Sequence, residues 1–182
     1  MKLTPNNTTA LVIDLQQKIV PATSDVPRLL ERSIFFLSGL AIYSIPVVST
    51  RQYPKGLGDT LPEISEVMKN ETTFDKTTFS CLDSPEIRNY FNADSRANVV
   101  IAGIEAHICV LQTALDLIEL GKNVYLVADC VSSRNPFDMK IAFKRMFRAG
   151  VVPTTAEAAL FEIAHAAGSP EFKSISKLAT GR

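Results

Sequence analysis

The chain has 182 residues, 46% of them hydrophobic, with 19 Lys and Arg against 19 Asp and Glu. That length fits one domain with a sizeable core, which we place at residues 1–182. A net charge of zero gives no electrostatic reason to expect a nucleic acid or an anionic membrane as a partner.

The first half of the chain alternates strand-type and helix-type segments. Residues 9–13 are a short apolar run that ends at Asp14, which is typical of a buried strand. Residues 27–43 have helical spacing, and Pro27 suits a first helical turn. The elements that follow are a strand over 46–49, a loop over 53–58, a weak helix over 62–68, a short strand over 72–78 and a short helix over 84–91.

The second half repeats the alternation more regularly, and glycines end its helices. Its elements are a strand over 98–102, a helix over 109–120, a strand over 124–128, a helix over 136–149, a short strand over 151–152 and a helix over 155–167. This order predicts an α/β fold, with a parallel sheet covered by helices on both faces. Ligands of such sheets bind at the carboxyl ends of the strands, near the point where the strand order reverses.

Cys109 is the most informative polar residue because it opens a predicted helix after a strand. The positive end of the helix dipole and unpaired backbone N–H groups favour a thiolate there, which lowers a thiol pKa of about 8.5. The same N–H groups can hold a developing oxyanion. The pattern indicates a nucleophile, although a small buried residue that packs a helix against a sheet has the same signature.

Asp14 and Lys76 are the candidates to act with this thiol. A carboxylate at the end of a strand can take a proton from a nearby thiol, but a turn or capping aspartate has the same pattern. Lys76 can lower the pKa of the thiol or stabilise the carboxylate, whereas a lone lysine is normally a solvated charge. Neither residue identifies a site by itself.

The other cysteines and histidines have weaker cases. Cys81 lies in a predicted loop and Cys130 just past a predicted strand, and we interpret both as structural. His107 precedes Cys109 by two positions and need not face it, and His165 in the last predicted helix is structural or exposed. No pair of histidines and no acidic cluster has metal-ligand spacing, so the sequence predicts neither a metal nor another cofactor.

Several segments of the chain, taken in order, resemble those of the isochorismatase-like cysteine hydrolases. This family includes nicotinamidases and N-carbamoylsarcosine amidohydrolase. Residues 11–16 look like the family's first strand, with its catalytic aspartate and the glutamine that follows. Residues 74–76 look like the segment with the catalytic lysine, and residues 103–110 like the nucleophile motif. Recurring later segments are similar to residues 129–134, 154–157 and 169–173, the last of which resembles the ending of isochorismatase domain-containing proteins.

The resemblance implies a three-layer α/β/α sandwich with a six-stranded parallel sheet in the order 3-2-1-4-5-6. It also implies a catalytic set of Asp14, Lys76 and Cys109. In that set Asp14 accepts the thiol proton, Lys76 stabilises the ionised pair and Cys109 attacks a carbonyl group. The expected reaction is hydrolysis of an amide or carbamoyl C–N bond of a small molecule through a cysteine thioester.

The family motif also contains a cis peptide bond that does not involve proline, and it aligns here with Ile104–Glu105. This alignment implies that the backbone N–H groups of Glu105 and Cys109 are the two oxyanion donors. Gln16 and His107 are the candidates for substrate binding.

Two departures from the family narrow the activity. Nicotinamidases carry an aspartate and several histidines after strand 2 that bind a metal ion, but residues 49–56 contain no histidine. Isochorismatase proper does not use a cysteine nucleophile, whereas Cys109 is present here. Both departures argue against those two activities and leave the substrate unassigned.

Three alternatives remain open. They are a catalytically silent binding or scaffold protein on the same fold, another hydrolase class such as a nuclease, and a thiol redox protein. A nuclease would need metal-binding carboxylates or paired histidines, and a redox protein usually has a Cys-x-x-Cys motif, which the sequence lacks. Proteins of this family are usually oligomers, so we expect a homo-oligomer, with the apolar residues 34–42 in part of its interface.

The cysteines and two chain segments bear on the compartment. An odd number of cysteines favours a reducing compartment, and the polar residues 1–9 leave no room for a cleavable presequence. The apolar residues 34–48 are interrupted by Ser, Gly and Pro, which indicates a helix and a strand rather than a membrane span. We therefore predict an intracellular protein, in the cytoplasm, with a mitochondrial location left open.

Overall fold

The computed structural model describes residues 2–68 and 71–181, so Met1 and Arg182, the limits of the predicted domain, lie outside the described residues. Within these residues the centre is a sheet of six strands, β1 (Thr8–Ile13), β2 (Val47–Gln52), β3 (Glu71–Lys76), β4 (Asn98–Ile104), β5 (Asn123–Ser132) and β6 (Val152–Thr154). Their order across the sheet is β3-β2-β1-β4-β5-β6, and neighbouring strands pair in parallel. The order and direction confirm the predicted fold.

Helices cover both faces of this sheet. They are α1 (Val26–Ile42), α2 (Pro54–Leu57), α3 (Pro62–Ser65), α4 (Pro85–Ala93), α5 (Leu111–Glu119), α6 (Pro136–Arg148), α7 (Ala156–Ala164) and α8 (Pro170–Thr180). One hydrophobic core joins the sheet to α1, α3, α7 and α8, and a second core joins it to α4, α5 and α6. Among the helices described, none is long and apolar enough to cross a membrane.

Strand β1 shows why the sheet needs a helical layer on each face. All of its side chains are buried. Ala10 and Val12 join the first core, while Leu11 and Ile13 join the second, because successive side chains of a strand point to opposite faces. A central strand of this kind therefore appears in the sequence as a continuous apolar run.

The carboxyl ends of β1 and β4 approach each other closely. Ile13 lies opposite Gly103 in the register, and a Cβ atom added at Gly103 would lie 2.1 Å from the carbonyl oxygen of Ile13. Gly103 also has a φ of 121°, which residues with a side chain rarely adopt. Only glycine fits this position, and the close contact brings together Asp14 and Glu105, which follow the two strands.

Several element limits differ from the predicted ones. Strand β5 continues to Ser132, so Cys130 lies inside the strand and not just past it. The helix predicted over 109–120 begins as α5 at Leu111, after a π-helical turn at Ala106–Val110. The predicted loop over 53–58 contains α2, the weak helix over 62–68 is reduced to α3, and the strand over 72–78 ends at Lys76.

Helix α8 was not predicted from the sequence. The helix predicted over 155–167 ends instead at Ala164, where His165 takes a positive φ of 61°. Helix α8 then starts at Pro170, and the Ser169 hydroxyl caps it by accepting from the Phe172 N–H at 3.0 Å. A capping serine followed by proline is a helix-start signal that the sequence contains.

The segment expected in an oligomer interface, residues 34–42, belongs to the core of the chain itself. Phe36, Leu37 and Leu40 in this stretch of α1 are fully or almost fully buried against the sheet. Large exposed apolar side chains lie elsewhere, and Phe79 and Phe137 are the most exposed of those described. Only the partly exposed side chains of the segment are free for an interface, so the interface prediction stays a prediction; they are Ile34, Ser38, Ala41 and Ile42.

Candidate active site

Asp14 is the first residue after β1, and its backbone turns there through a positive φ of 53°. Its N–H donates to the carbonyl oxygen of Thr50 in β2 at 3.2 Å. One carboxylate oxygen accepts from Thr50 Oγ1 at 2.7 Å, and the other accepts from Lys76 Nζ at 2.8 Å. The carboxylate is therefore buried at the end of a central strand with a donor for each oxygen.

Lys76 ends β3 and reaches past β2 to this carboxylate, with a side chain that is 0% exposed. Its Nζ atom lies 2.7 Å from Gln52 Oε1 and 3.6 Å from Cys109 Sγ. Two carbonyl oxygens of the loop after β3 are also near, at 3.3 and 3.5 Å. An ammonium group has three N–H donors, so the short contacts to Asp14 and Gln52 leave one donor for the thiol and the carbonyl oxygens.

The positive charge of Lys76 persists in this buried position. Removal from water lowers the pKa of the ammonium group, but the carboxylate of Asp14 and, when they ionise, the sulfurs of Cys81 and Cys109 raise it. The result is a pKa above the ordinary value of 10.5. Lys76 is therefore a fixed cation at neutral pH, close to both the carboxylate and the thiol.

Cys109 lies in the π-helical turn and is 7% exposed. Burial, and next the charge of Asp14, raise the pKa of the thiol to about 12, although Lys76 acts in the opposite direction. The prediction of a lowered pKa is therefore wrong. Helix α5 begins only at Leu111, and the thiol is removed from water beside a carboxylate, so the resting sulfur is protonated.

The turn that carries Cys109 begins at Glu105, the residue after β4. The peptide bond Ile104–Glu105 is cis, as the family resemblance implied. The carbonyl oxygen of Glu105 accepts from the N–H groups of Ile108 and Val110 at 3.0 and 3.2 Å. Glu105 thus belongs to the same hydrogen-bonded turn as the candidate nucleophile.

The two predicted substrate-binding residues have different environments. The side-chain nitrogen of the fully buried Gln16 donates to the carbonyl oxygens of Gln52 and Gly58 at 3.0 and 2.7 Å, and its oxygen accepts from the Gln52 N–H at 2.7 Å. These bonds commit the amide to the loop after β2 and argue against contact with a substrate. His107 is half-buried with Nδ1 3.0 Å from Ser133 Oγ, so a binding role would fall to its other ring nitrogen.

Two residues of β2, Thr50 and Gln52, belong to the site and were not singled out from the sequence. Thr50 donates to Asp14, and Gln52 accepts from Lys76. Both lie on the strand between those that carry the carboxylate and the ammonium group, so the register of a parallel sheet identifies them. The predicted strand stopped at residue 49, one position before the first of them.

The remaining cysteines and the second histidine have no evident chemistry. Cys81 lies in a 3-10 turn, Cys81–Asp83, and burial raises the pKa of its thiol to about 11. Burial also raises the pKa of the Cys130 thiol, and His165 is exposed at the end of α7. In residues 2–68 and 71–181, no group of three or more His, Cys, Asp or Glu side chains is placed to hold a metal ion.

A cleft of about 490 Å³ lies where the loops after β2 and β3 meet. Its walls include Tyr53, Thr78 and Asp83, and it borders Lys76. A cleft of this size, with both polar and apolar groups in its wall, suits a small molecule.

Fold and site together define the class of the molecule, an α/β/α sandwich with a cysteine, a carboxylate and an ammonium group gathered at the switch point of its sheet. The isochorismatase domain matches residues 8–158. The chain therefore belongs to the isochorismatase family.

Three similar proteins illustrate the relationship. The secreted isochorismatase effector Isc1 of Phytophthora sojae is 38% identical over 97% of this chain and 86% of its own. Isochorismatase domain-containing protein 2 of Danio rerio is 35% identical over 97% of this chain and 89% of its own. The solved structure of the MAR1 ribonuclease from Caenorhabditis elegans has a TM-score of 0.92 and 40% identity, and the match covers 98% of this chain and 92% of that one.

Proposed function

We propose that the chain hydrolyses an amide or carbamoyl C–N bond of a small molecule through a covalent cysteine thioester. One observation carries the proposal: Lys76 Nζ lies 2.8 Å from Asp14 Oδ2 and 3.6 Å from Cys109 Sγ, in a cluster that is almost fully buried. A base, a fixed cation and a thiol within contact distance can support nucleophilic catalysis by cysteine. Removal from water strengthens each of their charge interactions.

In the first half of the reaction, Asp14 takes the thiol proton of Cys109 as the sulfur bonds to the carbonyl carbon of the substrate. The electron pair of the C=O bond moves onto oxygen, and the backbone N–H groups of Glu105 and Cys109 are the proposed donors to it. When the tetrahedral intermediate collapses, the C–N bond breaks and Asp14 passes its proton to the leaving amine. The products of this half are the free amine and a thioester.

In the second half, Asp14 takes a proton from water as the water oxygen attacks the thioester carbon. The C–S bond then breaks, the acid leaves, and the proton returns to the sulfur of Cys109. Lys76 keeps its charge throughout and stabilises whichever of its two neighbours is negative. A thiol with a pKa of about 12 is consistent with this scheme, because the sulfur loses its proton only when Asp14 and a substrate carbonyl are both in place.

A ribonuclease is the second candidate, because the protein from Caenorhabditis elegans, at 40% identity, is named as one. Binding of an RNA backbone depends on basic side chains, and the net charge of this chain is zero. The buried thiol also has no evident use in breaking a P–O bond. Homogeneous RNA substrates should be tested alongside the small amides. Cleavage of RNA by both the parent and Cys109→Ala would favour this second candidate.

Assembly and compartment remain predictions. We expect a homo-oligomer, to be measured by sedimentation at micromolar concentration, and a mass of one chain would contradict it. The predicted compartment is intracellular, although the relative from Phytophthora sojae is named as secreted. Fractionation of cells that express the natural protein would decide between the two locations.

The central experiment is a panel of small amides and carbamoyl compounds assayed for amine or ammonia release, with the thioester sought by intact-mass measurement. We expect a substrate for the parent, no turnover by Cys109→Ala, and normal turnover by Cys130→Ala, which removes a thiol remote from the site. Hydrolysis that survives in Cys109→Ala would refute the covalent mechanism. A parent that turns over no compound and forms no adduct would favour the silent scaffold.

A further inference from the structure

A buried carboxylate fastens the nucleophile turn to the loop after β5. Glu105 is 3% exposed, whereas 59% of the side chain of its partner, Arg134, faces solvent. The backbone N–H of Arg134 donates to one carboxylate oxygen at 2.9 Å, and Arg134 Nε donates to both oxygens at 3.1 Å. Because a buried carboxylate is costly without such donors, these bonds fix the direction of the Glu105 side chain.

The loop after β5 is itself anchored, so it can hold the turn in place. Ser132 lies opposite Ile104 in the sheet, and its hydroxyl donates to the carbonyl oxygen of Ser24 at 2.7 Å. The N–H and hydroxyl of Ser24 donate in return to the carbonyl oxygen of Ser133, at 3.0 and 2.6 Å. His107 makes a second contact between the nucleophile turn and this loop, with Nδ1 3.0 Å from Ser133 Oγ.

We propose that the ion pair between Glu105 and Arg134, named here the Glu105–Arg134 clamp, positions the backbone N–H of Glu105 for transition-state stabilisation. The inference rests on the proposed function, in which that N–H group is an oxyanion donor. The Cα atom that carries this side chain is bonded to the backbone nitrogen of Glu105. A carboxylate held by the Arg134 backbone N–H alone, without the two guanidinium contacts, lets that Cα and the adjoining N–H shift. The clamp therefore acts on the transition state more than on the bound substrate, and Arg134 is a positioning residue.

The first test separates turnover from affinity. Arg134→Ala should lower kcat by about 10- to 100-fold and change KM by less than about twofold, since a misplaced donor weakens transition-state binding only. Added guanidinium ion should restore part of kcat, because the position of the lost side chain is open to solvent. The matched control is Arg148→Ala at the exposed end of α6, which should match the parent and not respond to guanidinium.

The second test needs no hydrolysis. Isotopically labelled acetaldehyde should add to the thiol of Cys109, and NMR would follow the hemithioacetal, whose oxygen takes the oxyanion position. Arg134→Ala should bind acetaldehyde about 10-fold more weakly. A parent that forms this adduct but hydrolyses no amide would refute the proposed function. The comparison of aldehyde affinity between the parent and Arg134→Ala would still show whether the clamp positions the donor.

Two outcomes would overturn the clamp. One is an Arg134→Ala variant with the parent's kcat and aldehyde affinity. The other is a raised KM at constant kcat, which would make Arg134 a substrate-binding group. Glu105→Gln, which keeps the shape of the side chain and removes its charge, should reproduce the loss of kcat without rescue by guanidinium.

Discussion

Each end of the sheet has a buried carboxylate with a basic partner, and the two ends use it differently. At the carboxyl end Asp14 pairs with Lys76, whose side chain is 0% exposed. At the amino end Asp94 pairs with Arg96, whose side chain is 36% exposed, and it also accepts from the Thr9 hydroxyl at 2.5 Å. The charges are alike at the two ends, but only the amino end leaves its cation in contact with water.

In the proposed function, that difference separates a structural pair from a catalytic one. Burial raises the pKa of Asp94, but the hydrogen bond from Thr9 and the contacts with Arg96 outweigh it and hold that pKa below its usual value. At the carboxyl end the cation and the carboxylate enclose a third group, the Cys109 thiol, whose pKa rises to about 12. Charges removed from water interact more strongly with a neighbouring group than exposed charges do, so Asp14 and Lys76 act more strongly on this thiol than a hydrated pair would.

The largest expected effect comes from removing the cation at each end. Lys76→Met should lower the free energy of unfolding by about 3–5 kcal/mol, because it leaves Asp14 buried without its partner. Arg96→Met should cost less than about 1 kcal/mol, because its charge is screened by solvent. Urea unfolding measures both, and Asp14→Asn combined with Lys76→Met should regain part of the loss. Equal losses at the two ends would erase the distinction.

The next effect concerns the thiol. Because burial and Asp14 raise the pKa of Cys109 to about 12, alkylation by iodoacetamide should accelerate about tenfold per pH unit between about pH 7 and 10. Asp14→Asn should speed the reaction by removing a negative charge, and Lys76→Met should slow it. Peptide mapping of the labelled chain gives the rates at each cysteine. A plateau below about pH 9 would mean that the resting sulfur is a thiolate.

A smaller effect is expected at the amino end. The pKa of Asp94 is lowered from 3.8, so its charge stabilises the fold above that pH, and this contribution is lost as the pH falls through the lowered pKa. Asp94→Asn should therefore be less stable than the parent at neutral pH, and the gap should close in acid. Urea midpoints over a pH series measure the gap. A gap that is independent of pH would show that the hydrogen bonds, and not the charge, are what matters.

The smallest effect is expected from chelation. In the described part of the chain neither end of the sheet gathers three or more His, Cys, Asp or Glu side chains around a metal position. Exhaustive treatment with a chelator should leave hydrolysis of any substrate unchanged at both early and late times. Activity that falls with chelator and returns with a divalent ion would show that the carboxyl end holds a metal after all.

The sheet and the location of the candidate site could be predicted from the sequence because both depend on local pattern. Alternating apolar runs and helices dictated a parallel sheet, and Asp14 and Cys109 each stood at an end of an element. The order 3-2-1-4-5-6 and the choice of Lys76 came from the family resemblance, since a lone lysine has no pattern of its own.

The protonation of the site did not follow from the sequence. A thiol near the start of a helix predicted a lowered pKa, but the value depends on how much water remains and on a carboxylate contributed by a distant strand. Thr50 and Gln52 were missed for a related reason, because a short polar strand end carries no apolar period to mark it. Cross-strand contacts of this kind become visible only once the register is known.

The three central side chains come from parts of the chain that are far apart, and this has a consequence for folding. Lys76 lies 62 positions from Asp14 and 33 from Cys109 in the sequence. It also ends β3, the edge strand, which reaches the rest of the sheet only through β2. Contacts between distant segments form slowly, so a refolding chain should bury its apolar side chains before it regains a working site. The time at which activity returns during refolding would thus report when β3 joins the edge of the sheet.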